Sequence, residues 1–240
     1  MHTEVIKYQA DGLDMVGHLY FDERGKGKRP GVLVYPHARG LGDHDKSVAE
    51  RLAKLGYVAL ACDLHGNGQE LATLAETFER LQPLRDSPTK VPARAKAAFD
   101  ALLRRPEVDP EKIAAIGYCI GGAMALELAR TGENIAAVVA FHGRLVSTLP
   151  DSAKKKIKGK VLACLGADDP HVSVKQRLAF EEEMRATKTD CQINVYSGVV
   201  HGFTTKGIEN FGDPKENHYN AQADARSWSE MLALFKEVFG

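Results

Sequence analysis

No Gly-x-Ser-x-Gly motif occurs anywhere in these 240 residues, so a serine nucleophile on a strand-to-helix elbow has no candidate. Net charge is missing too, since 32 basic residues balance 32 acidic ones, and with it goes the electrostatic case for a nucleic-acid partner. The densest basic run, Lys154 to Lys160, precedes an expected strand, has no interleaved aromatics and reads as a solvated loop. No segment approaches the ~18 to 20 apolar residues that cross a bilayer, and Met1-His2-Thr3-Glu4-Val5-Ile6 carries no apolar signal region. No membrane association and a cytoplasmic location are therefore expected. Cys62, Cys119, Cys164 and Cys191 lack paired metal-ligand spacing, and Cys62 and Cys164 fall in apolar strand-like runs. They read as reduced packing residues, not disulfide partners. His37, Asp43, His44 and Asp45 match no ligand signature, so no metal is expected there. A linker, an internal repeat and a low-complexity segment are also missing, and one domain over residues 1–240 is the expectation.

What is present is a chain with 44% hydrophobic residues, enough to bury a sizeable core. Two opening strands, Glu4 to Gln9 and Met15 to Phe21, are joined by Asp11-Gly12, a dipeptide suited to a hairpin reversal. Six short runs follow: Gly31 to Tyr35, Val58 to Cys62, Ile113 to Ile116, Ile135 to Phe141, Val161 to Leu165 and Gln192 to Tyr196. Five are almost continuously apolar, the mark of strands buried on both faces in a largely parallel sheet. Between them, Val48, Leu52 and Leu55, then Ala95, Phe99 and Leu102, repeat at helical spacing, with Gly56 and Pro106 as stops. Ala225, Trp228, Leu232, Phe235 and Phe239 mark the expected inner face of a last helix, while Gln69 to Pro88 shows no regular period and is expected to form at most short helices over one edge of the site. The pattern predicts a doubly wound α/β sheet, with antiparallel strands only at its N-terminal side and helices on both faces. In such sheets the ligand crevice lies outside the carboxyl ends of the strands.

Gly117-Tyr118-Cys119-Ile120-Gly121-Gly122 sits where the strand ending near Ile116 gives way to a helix from Ala123 to Ala129. A residue on such a bend is exposed at the top of the sheet, and glycines beside it allow helix and strand to pack closely. A thiol there needs a base and a group that orients the base. Gly166-Ala167-Asp168-Asp169-Pro170-His171-Val172 and Val199-Val200-His201-Gly202-Phe203 both follow expected strands. Asp169, three residues from both Gly166 and Val172, is the favoured acid and Asp168 the fallback. Position favours His201 as base over His142, which is read as a structural residue near the pocket, and His171, which is expected to face solvent. The backbone N–H of Ile120 follows the nucleophile and is one expected oxyanion donor. The remaining alternative for Cys119 is a small buried hydrophobe at a glycine-rich turn.

These three segments in this order, with Lys28 to Val34, Leu55 to Leu60 and Arg226-Ser227-Trp228, resemble the dienelactone hydrolase family of the α/β-hydrolase superfamily along almost the whole chain. The resemblance implies an α/β-hydrolase fold and a Cys119, Asp169, His201 triad that hydrolyses a carboxylic ester or lactone through an acyl enzyme without a cofactor. It points to Ala38 for the second oxyanion N–H. Two departures matter. That family typically carries a Glu in the loop after the third strand, where this chain has His37, read either as biasing Cys119 toward thiolate or as shaping the pocket. Its members that act on dienelactone also carry an arginine shortly after the catalytic His, where Gly202-Phe203-Thr204-Thr205 stands here. A neutral ester or lactone is accordingly at least as good a substrate, and His37, Arg39, Tyr118 and Phe203 are the residues expected to bind it. Arg39 and Arg85 are the candidates to replace the missing cation, with a salt-bridged or exposed role as the alternative for each. A non-catalytic or redox-sensing protein, or acyl transfer or dehalogenation on the same scaffold, remains the alternative function. The partner is a small molecule, and the expected assembly a monomer or small homo-oligomer.

Overall fold

The structure is a computed structural model in which residues 1–85 and 87–240 are described. β1 (His2–Ala10) and β2 (Leu13–Phe21) form an antiparallel hairpin, and both turn residues, Asp11 and Gly12, take positive φ. This is the turn whose twist matches that of the strands it joins. The chain continues through β3 (Arg29–Tyr35), α1 (Asp43–Lys54), β4 (Val58–Ala61), α2 (Leu74–Arg85), α3 (Lys90–Leu103) and β5 (Val108–Tyr118). It then forms α4 (Ile120–Arg130), β6 (Ala137–Phe141), β7 (Lys160–Gly166), α5 (Val174–Ala186), β8 (Cys191–Tyr196) and α6 (Ala221–Phe239). The eight strands make one sheet in the order β1-β2-β4-β3-β5-β6-β7-β8. β2 pairs antiparallel with β4, and every pair from β4 to β8 is parallel.

Strand side chains alternate between faces, so each central strand feeds two cores. Leu33, Tyr35, Leu60, Ile113, Ala115 and Val138 pack with α2, α3, α4 and α5. Val32, Val34, Ala59, Ala61, Ala114, Ile116 and Val139 pack with α1 and α6. Helices therefore cover both faces, and the crossover connections bring every parallel strand's carboxyl end to one rim. Among the described residues no helix is long and apolar enough to cross a membrane.

All eight expected strands are present. β5 starts earlier than its apolar run, because Val108-Asp109 pairs with Arg29-Pro30 before an irregularity at Pro30/Gly31. Three helical expectations change. Among the described residues of Gln69 to Pro88 there is one 12-residue helix, α2, with Pro83 inside it. α5, which no apolar period announced, buries only Phe180 and Met184. In α6 the buried face includes Ala223, Ser227 and Met231, while Ala225 is exposed and Leu232 only partly buried.

One buried ionic cluster ties α4 to its surroundings. Arg130 is 1% exposed and contacts both Glu183 oxygens at 2.8 Å, Glu127 Oε1 at 3.2 Å and the Leu145 carbonyl at 2.8 Å. Glu127 in turn accepts from Ser147 Oγ and the Thr148 N–H, fixing the loop after β6. Removing one partner of such a pair leaves the other as an uncompensated buried charge. Arg130→Met should cost about 3 to 5 kcal/mol in urea denaturation, and adding Glu127→Gln should recover part of that loss.

Candidate active site

β5 ends at Tyr118 and α4 begins at Ile120, leaving Cys119 between them at φ 54°, ψ −118°. A non-glycine residue in that region is strained by ~1 to 3 kcal/mol and persists only where its surroundings hold it. Here they do: the Cys119 N–H donates to the Phe141 carbonyl at 3.0 Å, and its own carbonyl accepts from Gly122 at 3.1 Å. A Cβ on Gly117 would lie 2.1 Å from the Gly121 carbonyl carbon, and one on Gly121 2.3 Å from the Tyr35 carbonyl oxygen. The glycines are there for close approach, since neither takes positive φ.

The expected acid and base come from two neighbouring strand ends. Asp169, 5% exposed, lies in the turn after β7, and His201, 7% exposed, in the loop after β8. His201 Nδ1 donates to Asp169 Oδ2 at 2.8 Å, while Asp169 Oδ1 accepts the His171 N–H at 2.8 Å. Asp168 is exposed. The His201 backbone is paired with Glu216 and His218, and His142 Nε2 is hydrogen bonded to Thr204 Oγ1 at 2.8 Å, which ties that loop to the end of β6.

Burial pushes the Cys119 thiol up, but the His201 charge, its hydrogen bond and the Ile120 N–H outweigh that and hold the thiol below its ordinary value. For His201 burial opposes the charge, yet Cys119 and Asp169 raise it to about 10. Thiolate and imidazolium stabilise each other as an ion pair. The other buried histidines go the opposite way. Burial lowers His37 to about 3, His44 to about 4 and His142 well below the usual range. Burial thus disfavours a charged His37, the form that would hold Cys119 as thiolate.

The cavity above these groups holds about 500 Å³. Cys119, Ile120, Ala38 and His201 line it with His37 and Arg39, so these expected site residues come together. Tyr118 and Phe203 do not line it. Tyr118 stacks on Phe141 with centroids 4.9 Å apart, and Phe203, wholly buried, packs in the core beneath α6. Arg39 reaches the cavity but is committed to Glu70 at 3.2 Å, the Leu71 carbonyl at 3.0 Å and the face of Phe211. His142 and His171 line the wall; His171 is exposed, and its ring meets His201 edge to face at 4.8 Å. The sequence reading placed Gln69 to Pro88 over one edge of the site but did not name Leu74, Phe78, Leu81 and Leu84 of α2, which face the cavity as its roof. It also missed Arg144, a half-buried guanidinium without a hydrogen bond or ion pair among the described residues. Arg144's place two residues beyond His142, at a strand carboxyl end, was the available signal. No group of three or more His, Cys, Asp or Glu among the described residues could hold a metal ion.

Iodoacetamide should alkylate Cys119 at a lower pH than an ordinary thiol, because its ionisation is shifted downward. Cys164 and Cys191 are pushed up to about 12 by burial and stay silent. In His201→Asn only the Ile120 N–H still opposes burial at Cys119, so the midpoint of the alkylation profile should move up. An unchanged profile would remove the ion pair.

A model of the dienelactone hydrolase family matches residues 17–239. A putative carboxymethylenebutenolidase of Synechocystis sp. is 26% identical, over 98% of this chain and 96% of that protein. A solved dienelactone hydrolase-like promiscuous phosphotriesterase from metagenomic libraries superposes with a TM-score of 0.94 at 41% identity, covering 100% of this chain and 99% of that one. An alpha/beta hydrolase from a Medee basin deep-sea metagenome library shares the fold at a TM-score of 0.65 and 19% identity, covering 98% of each chain.

Proposed function

The chain belongs to the dienelactone hydrolase family of ester and lactone hydrolases, and from that premise we propose that Cys119, His201 and Asp169 act as its nucleophile, base and orienting acid. One observation carries the reading: the 2.8 Å bond that fixes His201 on Asp169 in a ring coupled to Cys119 at the floor of the cavity.

In this mechanism the Cys119 thiolate attacks the ester carbonyl, forming a C–S bond while the carbonyl electron pair moves to oxygen. The oxyanion accepts hydrogen bonds from the N–H groups of Ile120 and Ala38. The Ala38 N–H has no other acceptor among the described residues, and His65 Nε2 anchors the Ala38 carbonyl at 2.8 Å. Collapse breaks the C–O bond, and the leaving alkoxide takes the His201 proton. Neutral His201 next removes a proton from water, which attacks the thioester and restores thiolate, imidazolium and a carboxylic acid product. Each oxyanion donor contributes ~2.7 to 4 kcal/mol to such a barrier. The apolar roof and the pairing of Arg39 with Glu70 favour a neutral ester or lactone, while Arg144 on the wall, unpaired among the described residues, leaves a place for a negative charge away from the reacting carbonyl. The chain acts in this reading as a single domain, and the chemistry calls for no cofactor.

Hydrolysis of a short-chain p-nitrophenyl ester tests the assignment. Cys119→Ala and His201→Ala should each lower kcat/KM by about 10³-fold or more, and Asp169→Asn by about 10²- to 10⁴-fold. Wild-type rates in the first two would sink the triad and leave a reactive thiol of the redox-sensing kind.

A further inference from the structure

His37 lies in the loop between β3 and α1, on the cavity wall with Cys119 and His201, and is 7% exposed. Its ring has a determinable proton. The Arg39 backbone N–H donates to His37 Nδ1 at 3.2 Å, and a backbone amide can only donate. Nδ1 is therefore bare. Burial, with His44 and Arg39 nearby, keeps the ring neutral down to about pH 3, so the single remaining proton is on Nε2. Among the described residues nothing accepts it, and the atom is not sealed inside the protein. The ring plane is held as well: His44 stacks on it at 6.1 Å and is itself wedged edge-on against Tyr118 at 4.7 Å.

We infer that His37 is a further catalytic residue, whose Nε2–H donates to the carbonyl oxygen of the bound ester beside the N–H groups of Ala38 and Ile120. The inference rests on the Cys119 reading. Neutrality is what suits the ring to this task. An imidazolium beside Cys119 would stabilise the resting thiolate as much as the transition state, whereas a neutral donor gains most as charge develops on oxygen. A carboxylate at this position would have no proton to give once ionised, and an ordinary solvent-exposed histidine would be charged in mild acid. The chain removes both problems by burying an imidazole and occupying its acceptor nitrogen with its own backbone.

The test compares wild type, His37→Ala and His37→Gln by steady-state hydrolysis of p-nitrophenyl acetate, by the acylation burst, and by the pH profile of Cys119 alkylation with iodoacetamide. Expected are a fall in kcat of about 10²-fold for His37→Ala, little change in KM, recovery of most of the rate by His37→Gln, and an unchanged alkylation midpoint in both. A His37→Ala kcat within a few-fold of wild type overturns the proposal, as does a Gln variant no better than Ala, which would mean packing alone. An alkylation midpoint that rises in His37→Ala overturns it too, by making the thiolate the acceptor. Failure of the underlying triad is read separately, as a burst that persists in Cys119→Ala.

Discussion

The site depends on backbones that approach each other more closely than a Cβ permits. Gly117 meets Gly121 across the elbow, Gly121 meets the Tyr35 and Pro36 carbonyls, and Gly122 meets Gly143, so the ends of β3, β5 and β6 share one contact. A second crossing, where a Cβ on Gly166 would lie 2.3 Å from the Val199 carbonyl oxygen, joins the ends of β7 and β8. The first crossing sets Ala38 and Ile120 beside Cys119. The second sets Asp169 beside His201. Two strained backbones, Cys119 at φ 54° and His142 at φ 40°, sit beside the first crossing, where the packed sheet ends can hold them.

Burial then sorts the histidines. Four buried ones surround the thiol or stand just behind it, yet of these only the His201 ring has a carboxylate within hydrogen-bond distance among the described residues. Desolvation neutralises the rest. This matters for His201 itself, because the His142 ring meets it edge to face at 4.9 Å, and a second imidazolium there would repel the one the proposed mechanism needs. Asp169 has both oxygens engaged, one by His201 and one by the His171 N–H, so its hold on the base is directional.

Much of this was legible because two-sided burial writes itself as apolar runs, which marked five of the eight strands, while the Asp11-Gly12 turn marked the opening pair. The strand ends then brought Cys119, Asp169 and His201 to one rim. Tyr118 was misjudged for a reason the pleat could have supplied: it shares parity with Ala114 and Ile116, which face the α1 and α6 side. Phe203 offered no such clue, since a loop has no period. In α6 the apolar residues after Trp228 come at both three and four positions, Met231 and Leu232, so composition alone could not set the helix phase. α5 lies against the sheet through two side chains, and a helix that buries so little leaves almost no stripe to read. His37 was legible as a departure, but its tautomer depends on a backbone contact two residues on, which spacing does not encode.

Selectivity and chemistry are carried by different parts of the chain. The proposed reacting groups hang from the crossings at the strand ends, whereas the roof is α2, which is held by buried Thr77, Leu81 and Leu84 and carries Leu74 and Phe78 at 39% and 57% exposure. Substitutions along Leu74 and Phe78 alter the volume and shape offered to an acyl or lactone ring without touching the contacts that set Cys119 or His201. Charge selectivity is separable in the same way. Arg39 adds a cation to the wall and Glu70 cancels it, while Arg144 adds one that no described residue cancels. It stands on the loop that Glu127 and Arg130 immobilise. A fixed sheet edge under a lightly packed roof is thus an arrangement in which substrate range can drift while the geometry of attack stays put.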